Sequence, residues 1–343
     1  MKAVVLAGVG DLQVREVPDP VIARPTDAIV RVTTTALCGA DLFPFHGHVP
    51  GFENGTVLGH EFVGVVESVG SGVASISVGE RVVSTSTISC GACAHCRAGR
   101  SSQCPERALF GYSGVYQRLD GGQAELVRVP MADRCLKVVP EAVSDEAAVF
   151  VADMLPTGYS AVRRADLSLG DVVAVVGCGT VGQMAIIFAK RVARTVIAVD
   201  GIPARRVLAE RFGAIAVAPE EAAAAIATAT GGLGADGVIE AAGSAGALTA
   251  AITFARGQGT VSVVGAHFEP DYPLNNGLMF ERELTLRVTW GHPFNDRDRI
   301  LAFMATGEID PTPAITHRFA LADAAEAYRV FDAREAVKVV LAP

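Results

Sequence analysis

Two residues suited to a soft divalent metal, Cys38 and His60, each stand close to a carboxylate. They lie in the stretches L-C-G-A-D-L-F-P-F-H-G and V-L-G-H-E-F-V-G-V-V, within residues 37–61. A thiolate and an imidazole are good zinc ligands. Asp41 and Glu61 are carboxylates placed to orient those ligands or to compete with them. The stretch reads as half of a catalytic metal site whose remaining ligand must come from elsewhere in the chain. Alone, Cys38 or His60 would more often be a core residue than a ligand, so the reading depends on its companions.

A second cluster is more self-contained. Cys90, Cys93, Cys96 and Cys104 give C-x2-C-x2-C-x7-C in a lobe at about 88–106. Four thiolates at this spacing close a tetrahedron around zinc and leave no position for substrate, which makes such a site structural. Free thiols or two disulfides are the alternative. His95 could replace a thiolate, but with four cysteines present it reads as a solvent-facing loop residue. Cys135 and Cys178 have no ligand partners in sequence and read as small buried hydrophobes. The opening run M-K-A-V-V-L-A-G-V-G-D is too short for a signal peptide and reads as a first strand. Seven cysteines without an export signal suggest a reducing, cytoplasmic setting, where clustered thiols bind metal more often than they pair.

The third pattern is Gly177-Cys178-Gly179-Thr180-Val181-Gly182. G-x-G-x-x-G alone is weak, but here it joins a Val-rich strand at 171–176 to a helical pattern at 183–191. In that position the first glycine permits a tight turn and the second admits a pyrophosphate to the backbone. The third permits close packing, and the helix start offers free N–H groups to the anion. Asp200 ends the next strand, 195–199, at about the ~20-residue separation expected of a ribose-binding carboxylate. A carboxylate there accepts ribose hydroxyls and repels a 2'-phosphate, favouring NAD(H) over NADP(H). Arg205 and Arg206 could bind a phosphate, or could equally be solvated residues flanking the adenine.

The elements that must position these groups fall into two textures. Residues 1–152 are rich in short β-patterned runs broken by glycine and proline, at 28–35, 61–70, 81–84 and 124–130, which predicts a compact β-barrel-like domain with long loops. Residues 153–290 alternate strand and helix, with further strands at 237–240, 260–264 and 284–289 and an alanine-rich surface helix at 220–230. Residues 291–343, with an amphipathic run at 322–331 and a strand at 336–341, return to the first domain. No repeat of solenoid spacing is present. The uncharged run 172–189 approaches a membrane span in length, but its glycines and its flanking Asp171 and Lys190 fit strand, loop and helix better.

With 343 residues and 50% hydrophobic content, the chain can fill a core in each of two domains. Its net charge of -8 and the lack of a basic run exclude a nucleic-acid surface.

Together these residues resemble the zinc-dependent medium-chain dehydrogenase/reductase family, the alcohol dehydrogenase and sorbitol dehydrogenase group. C-G-x-D at 38–41, G-H-E at 59–61, the four-cysteine lobe, D-M-L-P-T-G-Y at 153–159 and the glycine fingerprint at 177–182 occur in the family's order, across essentially the whole chain. The resemblance implies an α/β fold: a GroES-like β-barrel catalytic domain and a Rossmann domain of doubly wound parallel sheet, with zinc and nicotinamide meeting in the cleft. It implies two zinc ions per chain. Cys38, His60 and Asp153 become the catalytic ligands, Glu61 an exchanging ligand, and Asp41 the carboxylate that holds the His60 ring. Without the family, Asp153 would read as a helix N-cap. Thr157 matches a threonine near the nicotinamide and Val181 packs beside that ring, while Gly265, which ends the strand at 260–264, is a further cofactor-binding candidate. A small-molecule substrate and a homodimer or homotetramer are further implications.

One departure bears on mechanism. The family's alcohol dehydrogenases pass the alcohol's proton through a Ser or Thr two residues after the cysteine ligand and often a histidine five residues after it. Here those positions are Ala40 and Phe43, which carry no proton. Water, Glu61, His46 or His48 could replace the relay in an ordinary NAD(P)-dependent alcohol dehydrogenase. Alternatively, the hydride goes to a C=N or conjugated C=C bond of a specialised substrate, or the chain is a zinc- and nucleotide-binding protein without catalysis. Phe43, Ser86, Phe110, Met279 and Trp290 are the candidates for a partly apolar substrate cleft.

Overall fold

A computed structural model describes residues 1–267 and 271–343. The chain divides into two compact units, Met1–Asp153 with His292–Pro343, and Met154–Gly291.

In the first unit the main sheet runs in the spatial order Leu136–Val138, Arg81–Ser84, Glu61–Val69, Ala28–Leu37, Lys338–Ala342, Ile315–Ala320, with Leu126–Val129 also pairing with Ala28–Leu37. These pairings are antiparallel except the one between Ile315–Ala320 and Lys338–Ala342. Lys2–Gly8 pairs with Asp11–Glu16 and Thr56–Val57 in a smaller sheet. The interior is filled by Val30, Val32, Phe62, Val82 and Phe110, with Phe62 and Phe110 edge to face at 5.2 Å. Phe110, expected at a substrate cleft, is fully buried in this core. Helix Ala324–Asp332 buries Ala324, Ala327 and Tyr328 at helical spacing. That face packs with Val4, Leu6, Leu37 and Leu58.

The second unit is a six-stranded parallel sheet in the order Ile215–Val217, Thr195–Val199, Val172–Val176, Ala235–Glu240, Ala255–Val263, Thr285–Val288. Counted along the chain this is 3-2-1-4-5-6, the doubly wound dinucleotide-binding order, whose switch point lies between Val172–Val176 and Ala235–Glu240. All five residues of Val172–Val176 are buried, as expected for a strand covered on both faces. The surface helix Ala222–Thr230 buries only Ala222 and Ile226 and ends at Gly231 in the left-handed region.

Two element starts depart furthest from the sequence expectation. The helix after the glycine loop is Thr180–Ala189, beginning inside the fingerprint, because Gly179 is its N-cap. Strand Ala255–Val263 begins well before residue 260. Gly257 and Gly259 conceal its pattern, and Gln258 takes φ +59 where the pairing register shifts. Among the described residues no helix is long and apolar enough to cross a membrane.

Candidate metal centres and nucleotide site

Cys38 terminates the central strand Ala28–Leu37 and caps helix Gly39–Phe45. Asp41, at the third position of that helix, accepts the Cys38 backbone N–H at 2.9 Å, forming a capping box. The C-x-x-D spacing is thus a local folding device as well as a chemical one. His60 precedes strand Glu61–Val69, and Asp153 ends the short helix Val149–Ala152. These elements bring Cys38, His60 and Asp153 together, with one ligand atom of each within 4.8 Å of the others. Asp153 Oδ2 lies 3.5 Å from His60 Nε2 and 4.0 Å from Cys38 Sγ.

Asp41 Oδ1 approaches the other ring nitrogen, His60 Nδ1, at 3.2 Å. That approach is an ion-pair distance without hydrogen-bond alignment, since both ring nitrogens are buried without a hydrogen-bond partner among the described residues. A buried imidazole with Nε2 turned to a thiol and a carboxylate is the donor set of a zinc site with one open position. The residues therefore fit the metal.

The charges agree. Burial pulls the His60 pKa down, but Asp41, Cys38 and Asp153 outweigh it and hold the metal-free imidazole well above its usual range. Burial pushes the Cys38 thiol up against the influence of His60. Both groups must lose a proton to bind a metal.

Four residues that the sequence reading did not single out complete the surroundings. Gln123 Nε2 reaches Asp41 Oδ2 at 3.4 Å, and Tyr328 donates to Gln123 Oε1 at 2.8 Å. The buried Tyr112 hydroxyl donates to the Ala40 carbonyl, and burial raises its pKa. Lys338, fully buried, donates to the Glu61 carboxylate and, at 2.9 Å, to the Leu37 carbonyl. Glu61 is thus held by a cation, and it is not among the residues whose ligand atoms converge. His46 pairs with Asp332 at 2.9 Å in an exposed position.

In the four-cysteine lobe, the sulfurs of Cys90, Cys93, Cys96 and Cys104 also lie within 4.8 Å of one another. Cys90 Sγ is 3.6 Å from Cys104 Sγ and 4.0 Å from Cys96 Sγ. A tetrahedron of sulfurs around zinc at ~2.3 Å has edges near 3.8 Å, and a disulfide would need about 2.05 Å. All seven cysteines are free, and the sulfur separations fit a metal better than a disulfide. His95 is exposed, and Cys135 and Cys178 are buried. Backbone N–H groups of Cys90, Cys93 and Cys96 donate to Cys104, Cys90 and Cys93 sulfurs, each at 3.4 Å.

In the nucleotide-binding unit the three fingerprint glycines differ as their roles require. Gly177 has φ +92, and a side chain there would meet the Ala242 nitrogen at 2.7 Å. Gly182 packs on the Gly177 carbonyl, while above Gly179 the nearest atom is Arg205 Nη1 at 3.9 Å. No side-chain hydrogen bond caps this helix N-terminus among the described residues, as is common at anion-binding helix starts. The fit to a pyrophosphate is good. Asp200 accepts the Cys178 and Ile202 N–H groups at 2.7 and 2.8 Å, with Arg205 Nη1 3.7 Å away. Arg206 donates to the Asp200 carbonyl. Thr157 is buried on helix Met154–Arg164 beneath Gly291, Val181 is half-buried in the first turn of its helix, and Gly265 packs against Gly243 and Glu240.

Comparison with known proteins agrees with this architecture. The family model described as "Alcohol dehydrogenase GroES-like domain" matches residues 24–141, and "Zinc-binding dehydrogenase" matches residues 180–306. The chain belongs to the zinc-dependent medium-chain dehydrogenase/reductase family. It is 36% identical over 335 residues to a "probable zinc-binding alcohol dehydrogenase" of Mycobacterium tuberculosis, covering 97% of this chain and 86% of the relative. Among solved structures, the alcohol dehydrogenase TADH from Thermus sp. ATN1 matches with a TM-score of 0.95 and 37% identity, over 100% of this chain and 99% of that one. A zinc-dependent alcohol dehydrogenase from Streptococcus pneumoniae matches at 0.91 and 33%, over 100% and 98%. Membership in this family carries an oxidoreductase fold with a GroES-like unit and a Rossmann unit, and a dependence on zinc and a nicotinamide.

Proposed function

We propose that the chain transfers hydride between NAD(H) and an alcohol or carbonyl substrate at a zinc ion held by Cys38, His60 and Asp153, with a second zinc in the four-cysteine lobe. The observation that carries this reading is the convergence of those three residues around a buried imidazole nitrogen that has no hydrogen-bond partner among the described residues. When bound, zinc supplies Lewis acidity at a substrate oxygen and the nicotinamide supplies or accepts the hydride. Asp41 orients His60, and the N–H groups at the start of helix Thr180–Ala189 receive the pyrophosphate. Asp200 favours NAD over NADP, because a 2'-phosphate would meet its carboxylate.

Ala40 and Phe43 support a second reading, hydride delivery to a C=N or conjugated C=C bond, since neither side chain moves a proton. A panel of alcohols, aldehydes, imines and enones, read by NADH and NADPH absorbance, separates the two. Turnover of alcohols and aldehydes with NADH is expected, and turnover confined to imines or enones overturns the first reading. Asp200→Ala is expected to relax the preference for NAD; a parent that already prefers NADPH removes that assignment. Ala40→Ser raises alcohol turnover if the parent site is specialised away from alcohols and leaves it unchanged if another group moves the proton.

A further inference from the structure

The strand Lys338–Ala342 pairs antiparallel with the central strand through Val339 opposite Leu37, so Lys338 continues the register just where Cys38 leaves the sheet. On the other side of that central strand, Glu61 lies opposite Ala36. The Lys338 ammonium therefore bridges across the end of the central strand. It donates to the Leu37 carbonyl, next to Cys38, and to the carboxylate of Glu61, next to His60. Both charged side chains are fully buried, and the ammonium lies 5.7 Å from the centre of the Phe150 ring. Glu61 Oε1 is buried without a hydrogen-bond partner among the described residues. A buried carboxylate with a free oxygen beside a metal site would join the metal unless its charge is offset elsewhere. The thiolate of Cys38 and the carboxylate of Asp153 already balance a divalent ion, and Lys338 balances Glu61.

Resting on the metal reading above, we infer that Lys338 is a positioning residue for the metal centre. Its ammonium ties the backbone beside one ligand to the carboxylate beside another and keeps Glu61 out of the ligand set. With Lys338 neutralised, Glu61 becomes a further ligand and the geometry at the metal changes.

The test is cobalt(II) exchanged into the Cys38 site of the full chain, in the parent and in Lys338→Met, Lys338→Gln, Lys338→Arg and Lys338→Met/Glu61→Gln proteins. Visible cobalt bands report coordination geometry, and release of zinc to a chelator gives a second readout. In Lys338→Met and Lys338→Gln the bands should weaken and shift as a fifth ligand joins, with zinc release altered by about tenfold or more. Lys338→Arg and the double variant should keep the parent's bands. Unchanged bands and release in folded Lys338→Met overturn the proposal. Should neither neutral variant fold, Glu61→Gln decides it. A carboxylate outside the ligand set leaves the parent's bands in place when replaced, and altered bands overturn the proposal. Metal analysis of the parent is the separate check on the reading beneath: a parent with metal only in the four-cysteine lobe overturns both, whereas a parent with both sites filled and an unresponsive Lys338→Met overturns this inference alone.

Discussion

On the proposed reading, the two candidate ligand clusters of the first unit solve one problem in opposite ways. In the four-cysteine lobe the sulfurs sit close to the surface and are prepared by the main chain. The largest influence on Cys90 is a backbone N–H bond from Ala92, followed by one from Cys93, and its pKa falls to about 7. Cys104 goes the other way, pushed up to about 12 by burial. At Cys38, His60 and Asp153 the preparation comes from side chains: Asp41 beside His60, Gln123 and Tyr328 behind Asp41, and Lys338 against Glu61. A site that only has to hold a metal can be built from one loop. A site that must leave a position open draws its ligands from separate elements and needs buried charges to be arranged around it.

Substitutions that separate the two clusters sharpen this contrast. Cys38→Ser is expected to lower kcat/KM on the order of 10^3-fold, from the loss of several kcal/mol of charge stabilisation, while the melting temperature moves little. Equal loss of stability and activity would break the comparison. Cys93→Ser should do the reverse. Loss of about 3 kcal/mol of metal-linked folding energy lowers the melting temperature by roughly 6–12 °C, and surviving molecules keep their turnover. Asp41→Asn keeps the shape of the capping box but removes the charge facing His60. Catalytic-site metal affinity or activity should fall about 10–100-fold, with the lobe's zinc retained on metal analysis.

The smallest effect is the pH dependence of the metal-free protein. The folded His60 pKa is raised, so His60 contributes stability that is complete below its unfolded value near 6.5 and is lost as pH rises through the folded value. Metal uptake at this site has the opposite sign, strengthening as pH rises, because His60 and Cys38 must both be deprotonated. Chemical denaturation of the metal-free chain and calorimetric zinc titration in buffers of different protonation enthalpy measure the two trends. A common sign in both would contradict the charge arrangement around His60.

What the sequence made legible was local. The four cysteines, C-G-x-D and the glycine fingerprint each place their residues on one loop or one turn, where spacing along the chain becomes spacing in space. The six-stranded sheet was legible wherever a strand is buried on both faces, as at Val172–Val176, and obscured where Gly257 and Gly259 interrupt Ala255–Val263. The support around the metal ligands was not legible. Lys338 and Glu61 are 277 residues apart, Tyr328 and Gln123 are 205 apart, and a lysine in a strand gives no sign that it is buried. The packing of Phe110 was equally hidden, since nothing in its loop-rich segment announces the edge-to-face contact with Phe62.

The strand Lys338–Ala342 lies between Ala28–Leu37 and Ile315–Ala320 in the sheet that carries Cys38. A ribosome releases Ala28–Leu37 early, then the whole of Met154–Gly291, and only then the strand that completes the first unit. Domains fold as their residues emerge, so the later-coded Rossmann unit can be finished while the earlier one still lacks the strand that flanks Ala28–Leu37. During synthesis the first unit begun is therefore the last completed, and Cys38 and His60 wait beside a gap in their sheet until that strand is made.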